Sequence, residues 1–136
     1  MNNTRKKYEF TGKTKEIDVM RFNRIETITL HQIRAIRDFG NIMKGDVGGW
    51  VEDESNLSHD GYCWVHDDAK VYGKARVYEN AQVYDNATVR GAARVYGSAL
   101  VTEYAMVCGK GKLWRCDAVG SSVSVGNRGL IPLIYG

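Results

Sequence analysis

The sequence has little of what fixes most familiar frameworks. It holds one proline and three phenylalanines in 136 residues, and no apolar run approaches the roughly 20 residues that a membrane-crossing helix needs. Cys63, Cys108 and Cys116 are an odd number without a Cys-x-x-Cys pair, so neither a disulfide framework nor a paired-cysteine zinc site is written in the chain. Charge of one sign is scarce as well: a net +3 favours a protein over a nucleic acid as partner. The opening Met1 to Lys7 leads into Tyr8-Glu-Phe rather than a signal-peptide core, which sets the expectation of a cytoplasmic protein. With 43% hydrophobic and 26% charged residues, disorder is excluded.

What the chain has in excess is glycine, fifteen of them, beside abundant valine and alanine. The reason is a six-residue period. Val65, Val71, Val77, Val83, Val89, Val95, Val101, Val107, Leu113, Val119, Val125 and Ile131 hold one phase without a gap. Ala69, Ala75, Ala81, Ala87, Ala93, Ala99 and Ala105 sit four residues after the first seven, followed by Gly111, until Asp117 breaks the series. In each Ala-x-Val unit the outer residues point to the same side of a strand, inward. Gly73, Asn80, Asn86, Gly91, Gly97 and Gly109 follow the aliphatic position by two or three and supply turn freedom. A period of six does not track a 3.6-residue helical turn. Short strands joined by sharp turns, each stacking on itself, make an all-β parallel solenoid.

These residues resemble the hexapeptide-repeat left-handed β-helix proteins, in which three repeats make one triangular coil. The resemblance supplies the handedness and implies eighteen residues per coil and about four coils, with residues i and i+18 in register. One wall then carries Trp64-Val65-His66 and Gln82-Val83-Tyr84, a second Lys70-Val71-Tyr72 and Thr88-Val89-Arg90. The third carries Arg76-Val77-Tyr78, Arg94-Val95-Tyr96 and Lys112-Leu113-Trp114, a basic column beside an aromatic one. Charge agrees with this emphasis, since residues 1–60 hold ten basic and ten acidic side chains and 61–136 hold nine and six.

Residues 8–60 lack the period and read as an N-terminal β cap over an open solenoid end, preceded by a flexible basic segment, 1–7, and followed by the solenoid, 61–136. Within the cap Ile28 and Leu30 face one side of a strand, His31 and Ile33 the other, with a bend or bulge expected. Arg37-Asp-Phe-Gly, Gly45-Asp-Val-Gly-Gly-Trp-Val51, Asn56-Leu-Ser and Cys63-Trp-Val65 are similar to a YdcK-type group of bacterial and prophage solenoid proteins. That resemblance implies no established activity and a phage or prophage setting. The apolar tail, with Leu130, Ile131, Leu133, Ile134 and Tyr135, has no polar segment after it and is expected to form a homo-oligomer interface.

No catalytic constellation stands out. His31, His59 and His66 all lie at or before the first coil, and the repeat runs without the inserted loop that hexapeptide-repeat acyltransferases often carry. His66, pointing outward beside Tyr84, is the best candidate base. His59, Cys63 and His66 have zinc-ligand chemistry, but Cys63 falls in the inward phase and His66 in the outward one. The segments Lys7–Thr14 and Gly40–Val47 each lack a glycine or lysine that a phosphate loop requires. No cofactor or metal is called for. The function expected is therefore a non-enzymatic solenoid that binds a macromolecular partner, more readily a protein than a nucleic acid, through Arg76, Tyr78, Arg94, Tyr96, Lys112 and Trp114, including the possibility of a phage-encoded modulator of a host protein. The alternatives are an acyltransferase-like enzyme and a structural assembly solenoid.

Overall fold

The computed structural model describes residues 6–21, 23–108 and the two-residue strands at 112–113, 118–119 and 124–125. From Trp64 onward the chain forms stacked parallel two-residue strands on three walls, amounting to about three turns rather than four. Val65 pairs with Val83, Val83 with Val101 and Val101 with Val119 on the first wall. Val71, Val89, Val107 and Val125 stack on the second, and Val77, Val95 and Leu113 on the third. All three registers are those that eighteen residues per coil predict. The described valines and alanines of the two inward phases are buried, Val83, Ala87 and Val89 with no exposed surface at all. Each buried valine contributes about 1.5–3 kcal/mol of apolar transfer, and the coils tie together through backbone bonds such as His66 N–H to Val83 O (2.7 Å) and Tyr78 N–H to Val95 O (3.0 Å).

The corners use a left-handed backbone two residues after the aliphatic position, at Asp67, Gly73, Glu79, Asp85, Gly91, Gly97 and Glu103. Asn80 and Asn86, which the sequence offers as turn residues, stand one place later; the left-handed residues beside them are Glu79 and Asp85. The acids tolerate this conformation because their carboxylates accept from the next coil's corner amide. Asp67 Oδ2 accepts from Asp85 N–H (3.1 Å), Asp85 Oδ2 from Glu103 N–H (3.0 Å) and Glu79 Oε1 from Gly97 N–H (2.9 Å).

Strands β1 (Tyr8–Arg21) and β2 (Arg24–Ala35) form an antiparallel hairpin, and β2 pairs antiparallel with β3 (Val47–Val51). The pairing slips between Phe10 and Thr14, and again between Gln32 and Arg34, where the imperfect alternation of that strand predicts a bend or bulge. β3 lies parallel to Lys70–Val71, with Val51 beside Val71, and Leu57 bridges Val77. Parallel stacking therefore begins before Val65, at a spacing of twenty residues that the six-residue phase does not reveal. Gly48 and Gly49 make it possible: a Cβ on Gly48 would lie 2.6 Å from the Val65 carbonyl oxygen, and one on Gly49 would lie 2.6 Å from that of Ala69.

The two faces of this sheet bury different clusters. Ile33, Ala35 and Val51 join the solenoid core with Tyr8 and Trp64, whereas Ile28, Leu30 and Trp50 pack outside it with Ile17, Val19 and Tyr72. Lys15 Nζ lies 4.3 Å from the Trp50 ring centroid and closes that outer cluster.

First-coil carbonyls that have no preceding coil find side-chain donors. The buried Asn56 donates through Nδ2 to Gly73 O (3.2 Å) and Ala75 O (2.9 Å), while its Oδ1 accepts from the backbone N–H groups of Glu52 and Asp53. One coil later, Lys74 N–H and Arg76 N–H donate to the equivalent carbonyls of Gly91 and Ala93. Tyr8 OH donates to Leu57 O (2.6 Å), and Lys7, placed by sequence in a flexible leader, is fully buried with Nζ on Cys63 O (2.7 Å). Asn56 ends the only helical turn among the described residues, the 3-10 turn Glu54–Asn56 capped by Asp53. No helix among those residues is long and apolar enough to cross a membrane.

Candidate functional site

The first wall positions the side chain with the clearest chemical potential. His66 follows the strand Trp64–Val65, so alternation turns it outward, where its ring stacks on Tyr84 one coil later at 4.2 Å between centroids. Gln82, directly in register with Trp64, fixes the histidine's tautomer. Its Nε2 donates to Tyr62 O (2.7 Å) and Asn80 O (3.1 Å), which leaves Oε1 facing His66 Nε2 at 2.7 Å. The amide oxygen can only accept, so His66 carries its proton on Nε2 and keeps a lone pair on Nδ1 with no partner among the described residues. A groove of about 440 Å³ opens there, lined by Asn41, Ile42, Tyr62, Asn80 and Tyr84 together with His66 and Gln82. Gln82 was invisible to sequence reasoning because it occupies an outward position where the repeat imposes no residue type.

The other histidines are committed. His59 Nδ1 accepts from Lys7 N–H (3.1 Å), so its Nε2 donates to the Glu54 carboxylate at Oε1 (2.9 Å), and its ring stacks on Tyr8 at 4.1 Å. Burial raises the Glu54 carboxyl, but the bonds from His59 and Lys6 together outweigh it and hold the group below its ordinary range. His31 stacks on Phe10 at 4.4 Å. His59, Cys63 and His66 are not brought together: Cys63 is buried beside Lys7 and hydrogen-bonds Ser58 O, while His66 lies on the outer wall.

The third wall places four of the six residues expected to contact a partner. Arg76 and Arg94 are exposed on adjacent rungs, and Tyr78 and Tyr96 stack face to face at 4.9 Å with an interplanar angle of 5°. Burial raises the Tyr78 hydroxyl, with Tyr96 adding to the effect and Arg94 opposing it. Lys112 is in register with Arg94 through its strand. Trp114 and the tail residues Leu130, Ile131, Leu133, Ile134 and Tyr135 lie outside the described residues. A groove of about 530 Å³ beside this wall is lined by Glu54, Ser58, His59, Arg76, Tyr78 and Arg94. A further groove, about 840 Å³, lies where Val19 and Met20 of the hairpin approach Tyr72, Lys74 and Arg90.

A family model described as the YdcK β-solenoid repeat matches residues 81–97. A protein named as an uncharacterized acetyltransferase, YdcK, of Escherichia coli (strain K12) is 31% identical over 71 residues, which are 52% of this chain and 22% of that protein. The chain thus spans about a fifth of the length of the curated relative it matches. The expectation of a non-enzymatic protein is corrected by this finding, because the relative that shares the repeat carries an enzyme's name.

Proposed function

From the premise that the chain carries hexapeptide-repeat coils of the YdcK type, we propose that it is an acyltransferase-type solenoid, working in the cytoplasm, in which His66 is the general base for transfer of an acyl group from a thioester to a hydroxyl or amine acceptor. One observation carries this reading. Gln82 holds the proton of the neutral His66 ring on Nε2, which leaves the Nδ1 lone pair unpartnered among the described residues, on a side chain that lines a groove. In that state His66 takes the acceptor's proton as its oxygen or nitrogen attacks the thioester carbonyl, and returns it to the leaving thiolate. Stacking on Tyr84 holds the ring plane, so the lone pair keeps one direction. The test is release of free thiol from acetyl-coenzyme A in the presence of a panel of amines and sugars. His66→Asn should lower the rate by about 10²–10⁴-fold with folding unchanged. Equal rates in the two proteins would remove His66 from the chemistry.

A second reading concerns the third wall, which is compatible with the first. Arg76 and Arg94 stand one rung apart without a carboxylate partner among the described residues, and the faces of Tyr78 and Tyr96 turned toward each other are already covered. Bases cannot insert between these rings, which favours an acidic protein segment over a nucleic acid as the partner of this surface.

A further inference from the structure

Lys7 and Cys63, 56 residues apart in sequence, meet in the core with no exposed surface on either residue. Lys7 Nζ lies 3.4 Å from Cys63 Sγ and donates also to Cys63 O (2.7 Å) and Gly61 O (3.2 Å), under the ring of Phe39 at 4.6 Å. The two carbonyls and the sulfur together take the three N–H donors of the ammonium, and the thiol brings nucleophilic and redox chemistry within hydrogen-bond distance of an amine. We propose that Lys7 and Cys63 are a redox-modifiable pair that closes, under hydrogen peroxide, into a sulfenamide bond between Lys7 Nζ and Cys63 Sγ.

The sequence of steps balances. Cys63 sulfur attacks one peroxide oxygen, giving a sulfenic acid and one water; sulfur loses two electrons and peroxide gains them. Lys7 nitrogen then attacks that sulfur, the S–N bond forms, and the hydroxyl leaves with an amine proton as a second water. Lys7 serves both steps. As an ammonium beside sulfur it favours the reactive thiolate, and once sulfur is a neutral sulfenic acid the thiolate charge that opposed the burial of the ammonium is gone. Burial holds the Lys7 amine below its ordinary value and the Cys63 thiol above its own, and each partner opposes that shift in the other. The product staples the segment ahead of β1 to the turn entering the first coil.

The experiment is peroxide treatment of the whole protein, followed by intact mass measurement and peptide mapping. The half-exposed Cys108 reports that oxidant has reached the protein. Expected are loss of two hydrogens, a cross-linked peptide joining Lys7 to Cys63, and reversal by dithiothreitol. Cys63→Ser and Lys7→Arg, which keeps buried donors but offers no amine nucleophile, should both lack the link. The proposal is overturned if Cys63 stays unmodified long after Cys108 is fully oxidised. It is equally overturned if Cys63 proceeds to the sulfinic acid in the presence of Lys7, or if a linked pair retains an oxygen.

Discussion

Replacing Asn56 by aspartate tests the claim that one carboxamide stands in for a missing coil. The change is isosteric and keeps an oxygen for the backbone N–H groups of Glu52 (3.1 Å) and Asp53 (2.8 Å). It removes both donors to Gly73 O (3.2 Å) and Ala75 O (2.9 Å) and sets a carboxylate oxygen against those carbonyls in a site with no exposed surface. Each buried group left unsatisfied costs about 1–3 kcal/mol, and an uncompensated buried charge adds more, so Asn56→Asp should cost about 4 kcal/mol near neutral pH. At a urea dependence of about 2 kcal/mol per molar, the unfolding midpoint followed by fluorescence of the buried Trp64 should fall by about 2 M. The introduced carboxyl holds its proton more tightly folded than unfolded. The deficit is therefore full above its raised folded pKa and shrinks toward the unfolded value of about 3.9 as pH falls, because a protonated carboxyl regains one donor. A midpoint within about 0.2 M of the parent protein at pH 7 would refute the reasoning, since Asn56 would then be dispensable to the coil's edge.

Two further outcomes follow from the same geometry. Gly49→Ala places a methyl 2.6 Å from the Ala69 carbonyl oxygen, which itself accepts from Trp50 N–H, so the variant should lose about 1–3 kcal/mol in the same urea titration, or more if β3 leaves the sheet. The Asp53 carboxyl is held below its ordinary range by the Ser55 backbone N–H it caps, so its contribution is present above the unfolded value and lost as pH falls through the lower folded one. Amide exchange at Ser55 should accordingly lose protection, beyond the intrinsic pH trend, only below about pH 4, and Asp53→Asn should remove that dependence.

Much of the architecture was legible because a stacked coil repeats its own constraints. Every rung that buries a valine needs another six residues on, and the wall assignments for Val65, Val71 and Val77 needed in addition only the three repeats per coil that the resemblance implies. The stacking of β3 and Leu57 at twenty residues was not legible, since it depends on a pair of glycines admitting two backbones closely and has no periodic signature. The candidate site divides in the same way. His66 facing outward beside Tyr84 follows from phase alone. The proton position on His66 depends on Gln82, whose amide is oriented by Tyr62 and Asn80 carbonyls that only the folded turn brings together.

By itself, then, the sequence determined the period and the inward residues, because each is a local consequence of strand alternation, and with the three-repeat coil that the resemblance implies it also placed the three walls and the column of Arg76 and Arg94. The tertiary structure alone decided what happens where repetition stops: Asn56, Tyr8 and Lys7 supplying donors to orphan carbonyls, and Lys7 meeting Cys63 across 56 residues. Those contacts answer unpaired polar groups at an edge. A periodic pattern specifies its interior, and the edge is satisfied by whichever side chains the fold carries to it.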